Sequence, residues 1–197
     1  TYRVPIYPGF KYNISEDPAT VPEYYEPLSE PIEFTAEYGG NSISTVELTK
    51  TIVNYEKSGS IQIKKTTEGM LNLSGIGFTL SGTSDAGTVV NEYAVTDGNG
   101  IALFEHIPVG TYEVTEDGST TPYAYLTADP VSVEVYYAET TTQEIYNDEK
   151  KGSIEVHKTT EGMLNLSGID FILSGTSDSG RDISITATTD EKGIAKF

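Results

Sequence analysis

Apolar and polar residues alternate along much of this chain with a period of two, the signature of strands that bury one face and wet the other. Residues 60–65 (SIQIKK), 110–116 (GTYEVTE) and 131–137 (VSVEVYY) carry it most clearly. Thr, Tyr, Val and Ile fill these runs, while Gly, Asp, Asn, Ser and Pro gather between them at the intervals of an antiparallel sandwich or barrel. No stretch has the periodicity of an amphipathic helix. The pattern therefore predicts an all-β chain of antiparallel β-sandwich domains. Asp97 to Gly100 (DGNG) and Asp190 to Gly193 (DEKG) fall between strand-like runs. They read as hairpin turns, because Gly and Asn accept the positive φ that such turns require. A calcium loop at Asp97 and Asn99 would need further spaced acids and a closing Glu that are missing.

The pattern also repeats. Residues 58–104 align without a gap onto 151–197, at an offset of 93, with 30 identities in 47 positions. Residues 66–76 (TTEGMLNLSGI) recur letter for letter as 159–169. Self-similarity of this length points to tandem copies of one domain, not to a solenoid of small units. The remaining parts match more loosely: Pro8 to Asp17 resembles Val109 to Asp117 with one inserted residue, and Ile52 to Gly59 resembles Ile145 to Gly152. The expected organisation is thus residues 1–57 as the C-terminal half of a repeat, 58–150 as a complete repeat, and 151–197 as the N-terminal half of a further one. Such a boundary through a domain core, with Thr instead of Met at the start, reads as a portion of something longer.

Composition narrows the function. Of the 197 residues 30 are Asp or Glu and 12 are Lys or Arg, a formal charge of −18. A field of that sign repels phosphate, so nucleic acid and anionic membrane surfaces are not expected partners. No apolar run approaches the roughly 20 residues needed to cross a bilayer, so no membrane insertion is expected from this segment. The absence of cysteine excludes disulfides, thiolate metal sites and cysteine nucleophiles. No cofactor and no metal set is expected. His106 and His157 are the only histidines; His157 alternates outward beside Lys158, His106 has no Ser or acidic partner at catalytic spacing, and both read as surface or strand-end residues. Fourteen Tyr without Trp could form a carbohydrate-stacking platform, but cross-strand Tyr pairs explain them more simply. The Asn-x-Ser sequences at Asn13, Asn72 and Asn165 are too common a pattern to carry weight.

Three polar residues stand on apolar faces. Parity places Lys65 with Ile61 and Ile63, while Gln62 and Lys64 face out. It places Glu116 with Tyr112 and Val114, and Asn147 with Ile145. Burying a Lys, a Glu and an Asn costs several kcal/mol unless they satisfy one another.

Residues 59–66 (GSIQIKKT), 73–80 (LSGIGFTL), 96–104 (TDGNGIALF), 107–116 (IPVGTYEVTE) and 145–147 (IYN) resemble, in this order, the motifs of the Cna B-type, or SpaA-like, pilin domain. The resemblance covers the central repeat and both half repeats. It implies a β-sandwich of prealbumin-like topology in Gram-positive surface proteins. It also implies an autocatalytic isopeptide bond between a Lys of the first strand and an Asn of the last, assisted by a Glu. Carried onto this sequence, Lys65 and Asn147 are the cross-linked pair and Glu116 is the proton shuttle. The chemistry fits, since desolvation favours neutral forms, a neutral amine is a nucleophile, and a neutral carboxylic acid can hydrogen-bond the Asn side chain. A hydrogen-bonded Lys–Glu–Asn network that never reacts is the plainer alternative.

The half repeats carry half sites. Glu16 and Asn54 match Glu116 and Asn147 without a Lys; Lys158 matches Lys65 without its Glu and Asn. Partners could lie in adjacent repeats of one long chain, or in another copy joined covalently across a split domain. The expected function is a stalk or pilus-like filament module at the outer surface of a Gram-positive bacterium, with adjacent repeats or copies as partners and no turnover of an external substrate. An adhesin module with a host glycan or matrix ligand is the alternative, marked by divergence at 86–95 against 179–188.

Overall fold

A computed structural model describes residues 7–36, 51–69, 71–162 and 165–197. Of the exact 66–76 and 159–169 repeat, Met70, Met163 and Leu164 lie outside the described residues. The chain divides into two compact units, 1–58 and 59–197. No helix among the described residues is long and apolar enough to cross a membrane.

In the first unit β1 (Lys11–Ile14) pairs antiparallel with β2 (Ile32–Thr35), and a single turn of 3-10 helix at Pro18–Thr20 is capped by Asp17. Tyr12 and Phe34 are register partners on this ribbon, and their rings stack at 5.5 Å, a cross-strand aromatic pair of the kind the Tyr content predicts.

The second unit opens with β3 (Ser58–Thr67), followed by β4 (Gly77–Ser84), β5 (Val89–Val95), β6 (Ile101–Pro108), β7 (Gly110–Glu116), β8 (Val131–Val135) and β9 (Thr140–Asn147). These seven strands make two sheets, one in the order β6-β3-β9 and one in the order β5-β4-β7-β8. Their apolar faces meet in one core: Ile61, Ile63 and Ile145 from the first sheet lie in the same cluster as Phe78, Leu80, Val114 and Val133 from the second. The alternation read from sequence is the burial pattern observed, with every second residue buried in β7 and, from Gly59 to Lys65, in β3. One pairing departs from the antiparallel expectation. β3 and β9, the first and last strands, run parallel, with Lys65 opposite Ile145 and Thr67 opposite Asn147. Parallel neighbours need a long crossover, and here the other sheet supplies it.

Residues 151–197 rebuild the start of this domain: β10 (Glu155–His157), β11 (Asp170–Thr176), β12 (Asp182–Thr188) and β13 (Ile194–Lys196). β10 pairs with β13 and β11 with β12, as β3 with β6 and β4 with β5. The same turn closes both copies. Asp97 Oδ1 accepts from the amides of Asn99 and Ile101, and Asp190 Oδ1 from those of Lys192 and Ile194. Gly100 and Gly193 take φ of 76° and 74° there. These turns bind their own backbone, and no group of three or more metal-binding side chains occurs among the described residues. The divergent stretches 86–95 and 179–188 carry corresponding strands, β5 and β12.

The junction after β9 is short and clamped. Glu149 is buried; Arg181 Nη2 lies 2.6 Å from its Oε2, and Ser179 Oγ donates to its Oε1. Glu68 faces Lys151 at 3.6 Å and Arg181 at 3.7 Å. A buried carboxylate held this way resists rotation of the following half repeat, because breaking the pair leaves the charge unsolvated.

The core makes a direct prediction. Phe78→Ala should destabilise the central domain by about 3–5 kcal/mol in denaturant unfolding, whereas Thr79→Ala, on the opposite face of β4, should stay within about 0.5 kcal/mol.

Candidate functional site

The parallel register of β3 and β9 brings Lys65 and Asn147 to the same face of one sheet, two positions apart along the ladder. Glu116 ends β7 in the facing sheet and reaches both. Lys65, Glu116 and Asn147 are 2%, 5% and 1% exposed. The Lys65 backbone amide donates to Gly100 O at 2.8 Å, and a Cβ on Gly100 would come within 3.1 Å of Lys65 O. This turn therefore suits glycine twice over, for its positive φ and for the close approach.

Glu116 bridges the other two. Its Oε2 is 3.8 Å from Lys65 Nζ, and its Oε1 accepts from Asn147 Nδ2 at 2.7 Å. Thr121 Oγ1 donates to Oε1 at 2.7 Å and the Ala128 amide to Oε2 at 3.1 Å. Lys65 Nζ also donates to Ile145 O at 3.0 Å. Burial pushes the Lys65 amine down from 10.5 to about 8, against the opposing charge and hydrogen bond of Glu116. Asn147 Oδ1 is buried with no hydrogen-bond partner among the described residues. An amide present only for its hydrogen bonds would satisfy both ends, since an orphaned acceptor costs about 1–3 kcal/mol.

All three residues singled out by parity thus meet. Parity did not reveal Thr121, the Ala128 amide or the Ile145 carbonyl. Backbone groups leave no mark in sequence, and Thr121 sits in a loop without periodicity.

The half repeats carry part of the same arrangement. In the first unit Asn54 Nδ2 donates to Glu16 Oε2 at 2.8 Å and to Glu26 O at 2.9 Å, and the Leu28 amide donates to Glu16 Oε2 at 2.9 Å. The amide-to-carboxylate contact spans twelve residues in both places, Glu16 to Leu28 and Glu116 to Ala128. Thr121's place is taken by Val21, which has no hydroxyl. In the last half repeat the Lys158 amide donates to Gly193 O, as Lys65 does to Gly100 O, but Lys158 is only half-buried and its Nζ donates to Thr159 O at 3.0 Å. His106 and His157 are exposed; His157 Nε2 lies 2.6 Å from Glu155 Oε1.

No curated protein matches the chain. Residues 59–150 match the family model described as SpaA, prealbumin-like fold domain. Among solved structures, the TIE protein of Bacillus anthracis is similar at 27% identity and a TM-score of 0.53, over 87% of this chain and 29% of that one. A streptococcal ancillary pilin follows at 17% identity and a TM-score of 0.44, over 97% of this chain and 63% of that one. A minor pilin of Streptococcus agalactiae shows 18% identity and a TM-score of 0.41, over 62% and 59%. The chain spans less than two thirds of the length of each.

The depressed Lys65 amine has a measurable sign. Between about pH 8 and 10.5 the unfolded chain holds a proton at Lys65 that the folded chain has released, so stability rises with pH across that window. In an Asn147→Ala variant, which keeps the amine and the carboxyl, unfolding free energy should climb by about 3 kcal/mol over this range. In Asn147→Ala with Lys65→Met it should not.

Proposed function

Because residues 59–150 match the SpaA prealbumin-like domain model, we propose that this chain is a load-bearing module of a pilus-like surface filament, locked by an isopeptide bond between Lys65 and Asn147. The observation that carries this reading is Glu116. One of its oxygens faces the Lys65 amine and the other the Asn147 amide nitrogen, in a site closed to water.

That bridge is the proton path the reaction needs. Lys65 Nζ, as the neutral amine, attacks Asn147 Cγ; the Nζ–Cγ bond forms and the Cγ–Nδ2 bond breaks. The proton lost by Nζ enters the carboxyl through Oε2, and Oε1 delivers a proton to Nδ2, which leaves as ammonia. Attack needs a neutral amine and departure needs an available proton. A Lys–Glu pair sharing one proton meets both demands, as the ion pair at rest and as amine plus carboxylic acid when reacting. Thr121 and the Ala128 amide hold the carboxyl in position.

The mechanical consequence follows from the topology. Tension entering β3 and leaving from β9 would shear the parallel ladder between them. With Lys65 tied to Asn147, force crosses the amide directly, and the 81 residues between them carry no load. The bond needs no oxidising compartment, which suits a chain without cysteine. The clamped Glu149–Arg181 junction would pass load on without a flexible hinge, and the charge of −18 would keep parallel filaments apart. An extracellular position on a Gram-positive surface, as for the pilins of similar fold, completes the proposal.

Intact mass of the purified chain is the first test. The wild type should fall one ammonia short of its sequence mass, and Lys65→Ala or Glu116→Ala should restore the full value; full mass in the wild type overturns the bond. The rate of ammonia loss after refolding should be level below about pH 8 and fall above it, where the pair loses its shared proton. A rate rising through pH 8 would instead show that Glu116 supplies no proton. Under single-molecule tension the wild-type domain should not extend, whereas Lys65→Ala should release roughly 250 Å of chain.

A further inference from the structure

Two residues beyond Asn147 the same face of the chain carries a second buried acid. Ile145, Asn147 and Glu149 are all buried, so the alternation of β9 runs on past its last ladder pair into the connection to the next repeat. Glu149 is grasped from that next repeat, by Arg181 Nη2 at 2.6 Å and by the Ser179 hydroxyl.

The backbone around Glu149 is joined to the loop that holds Glu116. Tyr125 and Glu149 form an antiparallel bridge, flanked by the Leu126 amide on Asp148 O at 2.9 Å and the Lys150 amide on Ala124 O at 2.8 Å. The bridge ties the end of β9 to residues 124–126. Thr121 and the Ala128 amide, which hold the Glu116 carboxyl, stand just before and just after that stretch. Tyr125 is fully buried, and its hydroxyl accepts from Thr67 Oγ1 at 3.2 Å, two residues beyond Lys65 on β3. The same hydroxyl lies over Gly69, where a Cβ would come within 2.1 Å of it and within 2.7 Å of Ser179 Cβ. The two repeats thus close on Gly69 with no room for a side chain. Each segment that presents a reacting group, the end of β3, the loop after β7 and the end of β9, reaches this joint.

We infer that the following repeat is part of the machinery of the central one: Arg181 and Ser179, by fixing Glu149 and closing on Tyr125, are positioning residues for the bond between Lys65 and Asn147. The inference rests on the reading of the Lys65 site given above. Neither residue touches the reacting atoms. They hold the strand end that presents Asn147 and the loop that steadies Glu116 in one frame, and a reaction between packed groups is sensitive to displacements of about 1 Å. Glu149 suits this role because a buried carboxylate that loses its cation must move or take up water, and Asn147 is only two residues away. The grip is particular to this copy of the loop. Residues 84–88 of the central repeat have Ala86 and Thr88 where 177–181 has Ser179 and Arg181. The sequence of the next repeat thereby sets how fast a repeat locks.

The test uses the full chain, refolded from denaturant, with ammonia loss at Lys65 and Asn147 followed by intact mass and peptide mapping. Ser179→Ala combined with Arg181→Thr, which gives the loop the two residues the fold already carries at 86 and 88, should slow the loss by about ten- to a hundredfold. Gly69→Ala removes no polar group and should slow it likewise, because the added methyl wedges the joint open. Arg181→Lys, which keeps a cation beside Glu149, should recover most of the rate. Val133→Ala loosens the core of the facing sheet and should leave the rate close to that of the wild type. In a Lys65→Ala background, which cannot react, the Leu126, Ala128 and Lys150 amides should exchange faster with solvent in the double variant and in Gly69→Ala, while those of β4 keep their protection and show the fold to be intact. Wild-type rates in the double variant and in Gly69→Ala overturn the inference and leave the bond standing. Equal slowing by Val133→Ala shows an effect of stability alone and overturns it as well. Full sequence mass in the wild type removes the bond, and this inference with it.

Discussion

The parallel pairing of the first and last strands of the 59–150 domain is the constraint on which its other features depend. β3 and β9 are neighbours only because the intervening strands cross to the facing sheet and return. That register sets Lys65 and Asn147 on one face, and the sandwich then brings β7 across with Glu116. Without the parallel pair, Lys65 would be a buried cation with one distant partner, an arrangement that usually destabilises a fold. With it, a group of three residues that are costly to bury singly becomes a group whose members satisfy one another, save for one amide oxygen.

The same geometry joins mechanics to chemistry. Covalent closure between terminal strands matters most where force enters through those strands, and a reaction between them needs a core that excludes water and holds a proton donor still. The sandwich buries Lys65, Glu116 and Asn147 and holds the Glu116 carboxyl by hydrogen bonds, using the apolar alternation that also drives its folding. Burial lowers the Lys65 amine toward neutrality, so the hydrophobic core itself favours the form that the proposed bond would need.

The half repeats show how modular this arrangement is. In residues 7–57 the Glu–Asn contact forms with no Lys present, so it is a property of the turn after β1 and of the 52–57 segment and does not depend on the cation. In residues 151–197 the strand and turn that would present the Lys are in place, but Lys158 is only half-buried where Lys65 is buried. Local structure is thus written into each half.

Strand identity, the hairpin turns, the repeat and the three inward polar residues were all legible in the sequence, because period-two alternation assigns each side chain to a face without knowledge of its neighbours. Parity alone separated Lys65 from Lys64, and the former is the buried one. Alternation is blind to strand direction, however, so the parallel sense of β3 and β9 came only with the fold. Nor could it reveal the groups that hold Glu116, namely Thr121 in an aperiodic loop and the amide of Ala128. The sequence by itself determined which residues must be buried and which polar side chains go in with them. The tertiary structure decided which of them meet, because distances across a sandwich depend on strand order and register, and these are set by packing the whole domain at once.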